Sequence, residues 1–537
     1  MVRQGGGAAL AVLMSAGLLA GCQSAPEEKA SSAAGMVVPS PSSARAAAPV
    51  AKPMFAVLPG AMLQEQDTAR FPDAAANGWQ VVEEAPVSTF SLDVDTASYA
   101  FVRRLVREGR KPPPQAVRVE EMVNYFPYAY PAPERREDVL GATLTVTPSP
   151  WKDGAKLLHV GLKGWDVART GRPPANLTFL IDVSGSMSPE DRLPLIQKSL
   201  RQLGEGLGPD DKVAIVTYAG VSAVALPPTS AAELPRILAA VDGLRAGGGT
   251  AGAQGIKTAY ELARQMYDPQ AINRVVLATD GDFNVGVTDN RSLEAMVVEQ
   301  RRAGIYLTVL GVGRDNLNDA LTQRLAQAGN GQAAYLDSIQ ESRKLWIEQL
   351  GASMVPLADD AKIQVEFNPA QVAEYRLVGY ETRMLKRTDF SDDRVDAGDL
   401  GSGHSVTAIY EFTPKDSSAR LTEPLRYGKK GKRAQDGGSL EYAYLKLRAK
   451  LPGAKDSRLS SWPVGRAQEV TTLAQASDDV RFSVAVAGYA QLLRGEWNGG
   501  TEGWDRTIAL ADGARGADPY GWRAEAVQLM RTARDLR

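Results

Sequence analysis

Three short stretches of this 537-residue chain gather oxygen donors suited to a hard divalent cation. Ile181-Asp182-Val183-Ser184-Gly185-Ser186 sets one carboxylate and two hydroxyls at alternate positions, a DxSxS pattern. Gly247-Gly248-Gly249-Thr250 closes a glycine run on another hydroxyl, and Ala278-Thr279-Asp280-Gly281 adds a second carboxylate. Magnesium takes six oxygens at about 2.0–2.1 Å and keeps some of its waters, so such donors suit it. Gly185 and the glycine run let backbone approach closely and turn sharply. Taken singly, each stretch has an ordinary reading: Asp or Ser after a strand caps the next helix, and a glycine-rich loop is often only a loop. Their joint occurrence carries the metal reading.

Other chemistries find little support. The single cysteine, Cys22, allows no internal disulfide, CxxC pair or thiolate zinc cluster. The only histidines, His159 and His404, are far apart in sequence and read as ordinary surface or satisfied residues, which removes His-based zinc sites and Ser-His-Asp triads. Asp280-Gly281-Asp282-Phe283-Asn284 begins like an EF-hand loop but has Val285 at position six and no Glu at position twelve, so Asp282 and Asn284 read as rim or loop-ordering residues. P-loop and HExxH motifs are absent.

The elements that must position these donors alternate regularly. Apolar strands are expected at Leu177–Ile181, Val213–Tyr218, Arg274–Ala278, Tyr306–Gly311 and Ala333–Leu336, with helices between them. Ser188-Pro189-Glu190-Asp191 reads as a cap, a first-turn proline and early acids for a helix carrying Ile196, Leu200 and Leu203. Gly255–Tyr267 and a segment through Leu317, Leu321 and Leu325, closed by Gly329-Asn330-Gly331, read as further helices. Ser338 to Glu341 reads as a capping box opening the last one. Such alternation implies a parallel sheet covered on both faces, a doubly wound α/β domain, whose ligands bind at the carboxyl ends of the strands. All three donor stretches fall at strand or helix ends.

Over residues 174–355 the chain resembles the von Willebrand factor A family with an intact metal-ion-dependent adhesion site. The resemblance implies that Ser184 and Ser186 coordinate the metal directly and that Thr250 joins them directly or through water. It also implies that Asp182 and Asp280 bind through water or switch into direct contact. Magnesium is the expected ion, with Mn²⁺ or Ca²⁺ as alternatives. Neutral hydroxyl ligands leave the ion electrophilic, so the resemblance further implies a protein partner that presents an Asp or Glu to it.

β-rich segments flank this domain. In residues 86–173, Ser91 to Asp95 reads as a strand ending in a helix cap, followed by helices at Thr96–Arg107 and Val119–Tyr125 and strands at Ala142–Val146 and Lys156–Leu162. The aromatic run Tyr125 to Tyr130 reads as packing between flank and sheet. In residues 356–537, Ile363, Val365, Phe367 and then Val406, Ala408, Tyr410, Phe412 alternate as strands. Thr388–Ser405 reads as a long loop, and Asp478–Leu493 and a stretch capped by Asp518-Pro519 read as helices. The expected architecture is an α/β doubly wound, Rossmann-like domain inserted between β-rich flanks that pair into one α+β body.

The first 22 residues read as a lipoprotein signal: Arg3, an apolar run from Ala8 to Ala20, and Leu19-Ala20-Gly21-Cys22, which resembles a bacterial lipobox. Cys22 is the expected lipidation site, and Gln23 after it implies the outer membrane if the host is Gram-negative. Residues 23–85 read as a disordered Ala/Ser/Pro tether, its composition purest up to about residue 53. The motifs Thr89 to Tyr99 and Val123-Asn124-Tyr125-Phe126, with the segment after the central domain, resemble the YfbK-type bacterial lipoproteins over nearly all the mature chain.

With 44% apolar and 23% charged residues and a formal net charge of −2, the chain has globular composition and no basic stripe for nucleic acid. The expected function is that of a lipid-anchored cell-envelope adhesion or scaffold protein without enzymatic activity. A Mg²⁺-dependent envelope hydrolase and a structural lipoprotein with an unused metal site are the alternatives.

Overall fold

The computed structural model describes residues 71, 75–92, 95–135, 138–166, 171–249, 252–281, 290–313, 318–349, 355–395, 397–423, 440–452 and 454–536. All belong to one compact unit, residues 65–537. Cys22, the signal and most of the tether lie outside the described residues.

The N-terminal flank comprises β1 (Gln80–Val81), β2 (Val87–Ser91), α1 (Ala97–Arg107), α2 (Val119–Asn124), β3 (Leu140–Pro148) and β4 (Lys156–Gly164). The central domain follows with β5 (Ala175–Asp182), α3 (Leu193–Gly204), β6 (Lys212–Tyr218), β7 (Ser222–Ser230), α4 (Leu234–Gly243) and α5 (Gly252–Met266). It continues through β8 (Ile272–Thr279), α6 (Asn290–Arg302), β9 (Tyr306–Gly311), α7 (Asp319–Ala328), β10 (Ala333–Tyr335) and α8 (Ile339–Arg343). The C-terminal flank holds β11 (Pro356–Phe367), β12 (Val372–Val378), β13 (Gly398–Gly401), β14 (Ser405–Pro414), β15 (Glu441–Lys450) and β16 (Arg458–Gly465). It ends in α9 (Asp478–Arg494), α10 (Gly500–Asp512) and α11 (Trp522–Asp535).

The central sheet runs β10-β9-β8-β5-β6-β7 and is parallel except for β7. β5 and β8 are buried at every residue, as expected for strands covered by helices on both faces. One face packs under α3 and α4, with Phe179 edge-on to Trp346; the other packs under α5, α6 and α7. This is the doubly wound domain the alternating pattern predicts. β7 is an addition to it. Its Pro227-Pro228 and mostly exposed side chains mark an edge strand, where prolines cost little ladder bonding, and they also hide it from periodicity.

The two flanks hydrogen-bond to each other around the insertion. β2 pairs antiparallel with β11, β1 with β12 and β4 with β14, so strands from before and after the central domain share two sheets. The core between those sheets is built from inward alternate residues such as Leu158, Val160, Ile363, Val365, Tyr410 and Phe412. The Tyr125–Tyr130 aromatics are buried, and they pack on the C-terminal helices, with Phe126 edge-on to Phe482 at 5.0 Å.

Several local expectations give way to tertiary contacts. Asp95 does not cap α1: its carboxylate accepts from Ala333 N and pairs with Arg383, both at 2.7 Å. The helix after the DxSxS loop begins at Leu193 with Arg192 at its cap position and Pro194 in its first turn, so Ser188 caps nothing and instead bonds Gly185 O. Ser338 accepts from Glu341 N, but the Glu341 carboxylate turns to Arg103 and Tyr125, so the capping box is half made. The loop expected at Thr388–Ser405 contains β13, which pairs with β11, and the tail has the additional helix α10. His159 is fully buried, bonding Tyr130 and Ser483.

Candidate metal centre

The DxSxS loop leaves the carboxyl end of β5, and the Asp280 stretch leaves that of β8, the adjacent strand. Asp182 is the last residue of β5 and is fully buried; Ser184 and Asp280 are nearly so, while Gly185 and Ser186 face solvent. Buried carboxylates therefore stand beneath an open mouth of hydroxyl and glycine.

Local hydrogen bonds hold the loops together. Ser184 N donates to Asp182 Oδ1 at 2.8 Å, folding the loop over its own carboxylate, and the Ser184 and Ser186 hydroxyls lie 3.1 Å apart. The glycine run docks on the same turn: Gly247 N donates to Val183 O at 2.7 Å and Gly185 N donates to Gly248 O at 3.0 Å. Gly248 has φ +87°, which explains a glycine there: a side chain would be strained in that left-handed conformation. These contacts bring the run that ends at Thr250 to the DxSxS loop; Thr250, Asp282 and Asn284 themselves lie outside the described residues.

Asp280 has a partner that sequence reading did not anticipate. Arg192, at the cap position of α3, donates through Nη1 to Asp280 Oδ2 and to Ser186 O, both at 2.7 Å. Its guanidinium lies against Gly313, where an added Cβ would come within 2.6 Å of Arg192 Nε. Gly313 O in turn accepts from Arg104 of α1 at 2.7 Å and from the Tyr335 hydroxyl at 2.6 Å.

The electrostatics suit a cation. Among the described residues Asp182 Oδ2 and Asp280 Oδ1 are buried with no donor at full hydrogen-bonding geometry, the Tyr218 hydroxyl lying near the Asp182 carboxylate, whereas the other oxygen of each carboxylate is held. Burial raises the Asp182 carboxyl above its ordinary range; Ser184 opposes that, the neighbouring Asp280 adds to it, and the nearby Tyr218 hydroxyl eases it. Among the described residues Arg192 pairs with Asp280 and not with Asp182, and a buried charge without a countercharge costs several kcal/mol, on the order of the penalty for any desolvated ion. The residues present fit a hard divalent ion: the Ser186 hydroxyl at the mouth, the buried Ser184 hydroxyl beside it, and two carboxylate oxygens below that no described donor holds. Among the described residues no cluster of three or more His, Cys, Asp or Glu could hold a metal, so the hydroxyl-based set is the candidate. No helix among them is long and apolar enough to cross a membrane.

Comparison with known proteins matches three successive stretches of the chain. The profile described as von Willebrand factor type A domain matches residues 176–345, and one described as von Willebrand factor matches residues 65–159. A third, described as Uncharacterized protein YfbK, C-terminal, matches residues 352–536. The Uncharacterized protein YfbK of Escherichia coli K12 is 42% identical over 472 residues, 87% of this chain and 81% of that protein. Among solved structures, the von Willebrand factor type A protein from Catenulispora acidiphila matches 76% of this chain and 91% of its own at TM-score 0.40 and 15% identity. Proximal thread matrix protein 1 of the mussel byssus, described with a zinc-occupied MIDAS motif, matches 36% of this chain and 47% of its own at TM-score 0.28 and 21% identity.

Proposed function

The chain belongs to the YfbK family with a von Willebrand factor A-type central domain, and from that premise we propose that it grips an acidic partner through a divalent cation. One observation carries the reading: Asp182 and Asp280, buried side by side, each keep one oxygen that no donor among the described residues holds at full hydrogen-bonding geometry. Ser184, Ser186 and Thr250 would hold the ion through hydroxyls, with Asp182 and Asp280 beneath, and Mg²⁺ is the proposed ion, with Mn²⁺ or Ca²⁺ as alternatives. When bound, the ion supplies an electrophilic point for an Asp or Glu carboxylate of a protein partner. This chain's part is to orient the donors: Ser184 N fixes Asp182, Arg192 fixes Asp280, and the glycine run keeps the mouth open.

The proposal extends to location. Lipidation at Cys22 would anchor the body at the bacterial cell envelope, at the outer membrane in a Gram-negative host, and the chain would act as an adhesion or scaffold protein rather than an enzyme. The lipobox and the absence of a nucleophile–base pair from the sequence support these two points.

The test is the melting temperature of the purified chain against Mg²⁺ and Mn²⁺, with Ser184→Ala/Ser186→Ala as control. A cation bound only by the folded state stabilises by RT ln(1 + [L]/Kd), about 2.7 kcal/mol at a hundredfold excess over Kd. A saturable rise in the parent that the double variant lacks is the expected result. Equal responses in both chains would overturn the site, and metal-dependent turnover of a phosphoester panel would favour the hydrolase alternative.

A further inference from the structure

The opposite end of the central sheet holds a cation that the proposed metal centre does not use. Arg274 stands near the start of β8, across from Tyr306 at the start of β9, and is 4% exposed. Its one hydrogen bond among the described residues runs from Nη1 to the Thr308 hydroxyl at 2.8 Å, and its Nε is buried with no acceptor. No carboxylate among the described residues pairs with it within 4.0 Å. The other buried arginines among the described residues each have an acid in contact, as Arg103 has Asp337 and Glu341, Arg118 has Glu121 and Asp319, Arg383 has Asp95 and Arg523 has Asp479.

Arg274 lines a cleft of about 220 Å³ between the lower edge of the central sheet and the C-terminal flank. Tyr306, Asn330 and Gln332 contribute from the central domain, Asp399 and His404 from the flank. A second, outer basin shares Tyr306, Asn330 and Asp359 with the cleft and is bordered by Arg301, Arg302 and Asp360. Burial pushes the Arg274 guanidinium down to about 10, against the weaker pull of Tyr306 and Asp399, and pushes His404 down to about 4, leaving it neutral at physiological pH. A desolvated guanidinium whose neighbours include amides and a neutral imidazole, with Asp399 acting only at a distance, is an environment in which a planar anion gains from charge-assisted hydrogen bonds. Asp359 and Asp399 in the wall oppose an anion in proportion to its charge, and Arg383, the other guanidinium of the wall, is already paired with Asp95, so a second negative charge adds repulsion without a second cation to meet it.

We propose that this cleft binds a monoanionic carboxylate on Arg274, at the seam between the central domain and the C-terminal flank. The carboxylate could belong to a small free acid or to the end of a peptide; the chemistry at Arg274 is the same. Both sides of the seam line the cleft, so a bound carboxylate would stiffen the junction as well as fill it.

Trifluoroacetate, followed by ¹⁹F line broadening on the purified chain in EDTA, is the probe. EDTA strips divalent ions, so the metal centre cannot account for the signal, and Ser184→Ala/Ser186→Ala should leave it unchanged. The expected result is saturable broadening reversed by acetate, with Arg274→Met weakening binding by about tenfold or more. Reversal by acetyl-trialanine, but not by its C-terminal amide, at lower concentration than acetate would assign a chain end; the opposite order would assign a small acid. Inorganic phosphate competing as well as acetate would overturn the carboxylate assignment, as would undiminished binding in Arg274→Met. Should that variant fail to fold, Gln332→Glu decides: it adds a negative charge to the cleft wall without disturbing the buried guanidinium. Its binding should fall several-fold, and parental binding would overturn the proposal.

Discussion

Arg192 Nη1 meets Asp280 Oδ2 at 2.7 Å and Ser186 O at the same distance, so one guanidinium ties the end of β8 to the turn after β5. The pair does two opposing things to a cation beside it. It leaves Asp280 Oδ1 fixed in place with no partner among the described residues, and it puts a positive charge close to where the cation would sit.

Replacing Arg192 separates the two effects. In Arg192→Ala the nearly fully buried Asp280 loses its countercharge, and breaking a buried pair from one side costs about 3–5 kcal/mol. The metal-free variant should therefore melt well below the parent. Added Mg²⁺ should then raise its melting temperature by more than it raises the parent's, because the ion neutralises a carboxylate nothing else does. A smaller metal-induced rise in the variant would mean that orientation by Arg192 outweighs its charge.

What the sequence made legible, and what it did not, follows the reach of each interaction. Asp182, Ser184 and Asp280 could be found because strand periodicity fixes where β5 and β8 end, and donors at strand ends need no further information. Arg192 could not, since its partner lies 88 residues away and only the parallel pairing of β5 with β8 brings the two together. Asp95 has the residue type and position of a helix cap, yet Ala333 N and Arg383 take its oxygens, a choice made by the docking of flank on domain. β7 escaped for a different reason: an exposed edge strand carrying two prolines has no apolar alternation to read. Pairing of the flanks was inferable only as architecture, since nothing local in β2 or β11 specifies the register that joins Phe90 to Ile363.

Arg103 is the anchor of that docking. It is fully buried and pairs with Asp337 at 2.5 Å and Glu341 at 2.7 Å, across the seam between α1 and the end of the central domain. Arg103→Met should destabilise the chain by about 3–5 kcal/mol, because Asp337 and Glu341 both lose the cation they are hydrogen-bonded to. Arg103→Met/Asp337→Asn/Glu341→Gln removes the charges together and should recover much of that loss. Urea denaturation of the three chains checks this; a triple variant no more stable than the single would place the role of Arg103 in packing rather than in charge.

The proposed anchor has a simpler test. Cys22→Ala removes the only thiol of the chain, and the protein should move from the membrane pellet to the soluble fraction, with loss of the mass added by acyl chains. Continued pelleting of the variant would assign membrane association to a partner or to the folded body itself.

His159 gives the chain a pH dependence of known sign. Burial pushes its imidazole down to about 4, against the pull of Asp479, while an unfolded histidine titrates near about 6.5. The folded chain thus binds fewer protons than the unfolded chain between these values, and the stability contributed by neutral His159 is complete above about pH 6.5 and lost as pH falls towards 4. Glu120, raised to about 7, and Asp319, raised to about 6, act in the opposite sense, since burial makes each gain stability as it protonates. The slope of the parent alone therefore mixes signs, and the comparison with His159→Gln isolates the histidine. That variant should be the less stable chain at pH 8, where it loses bonds to Tyr130 and Ser483, and should close the gap by about 1.4 kcal/mol per pH unit below pH 6.5. Chemical denaturation at half-unit steps from pH 4.5 to 8 measures the gap; one that stays constant would mean that His159 takes up its proton as readily in the folded chain as in the unfolded one.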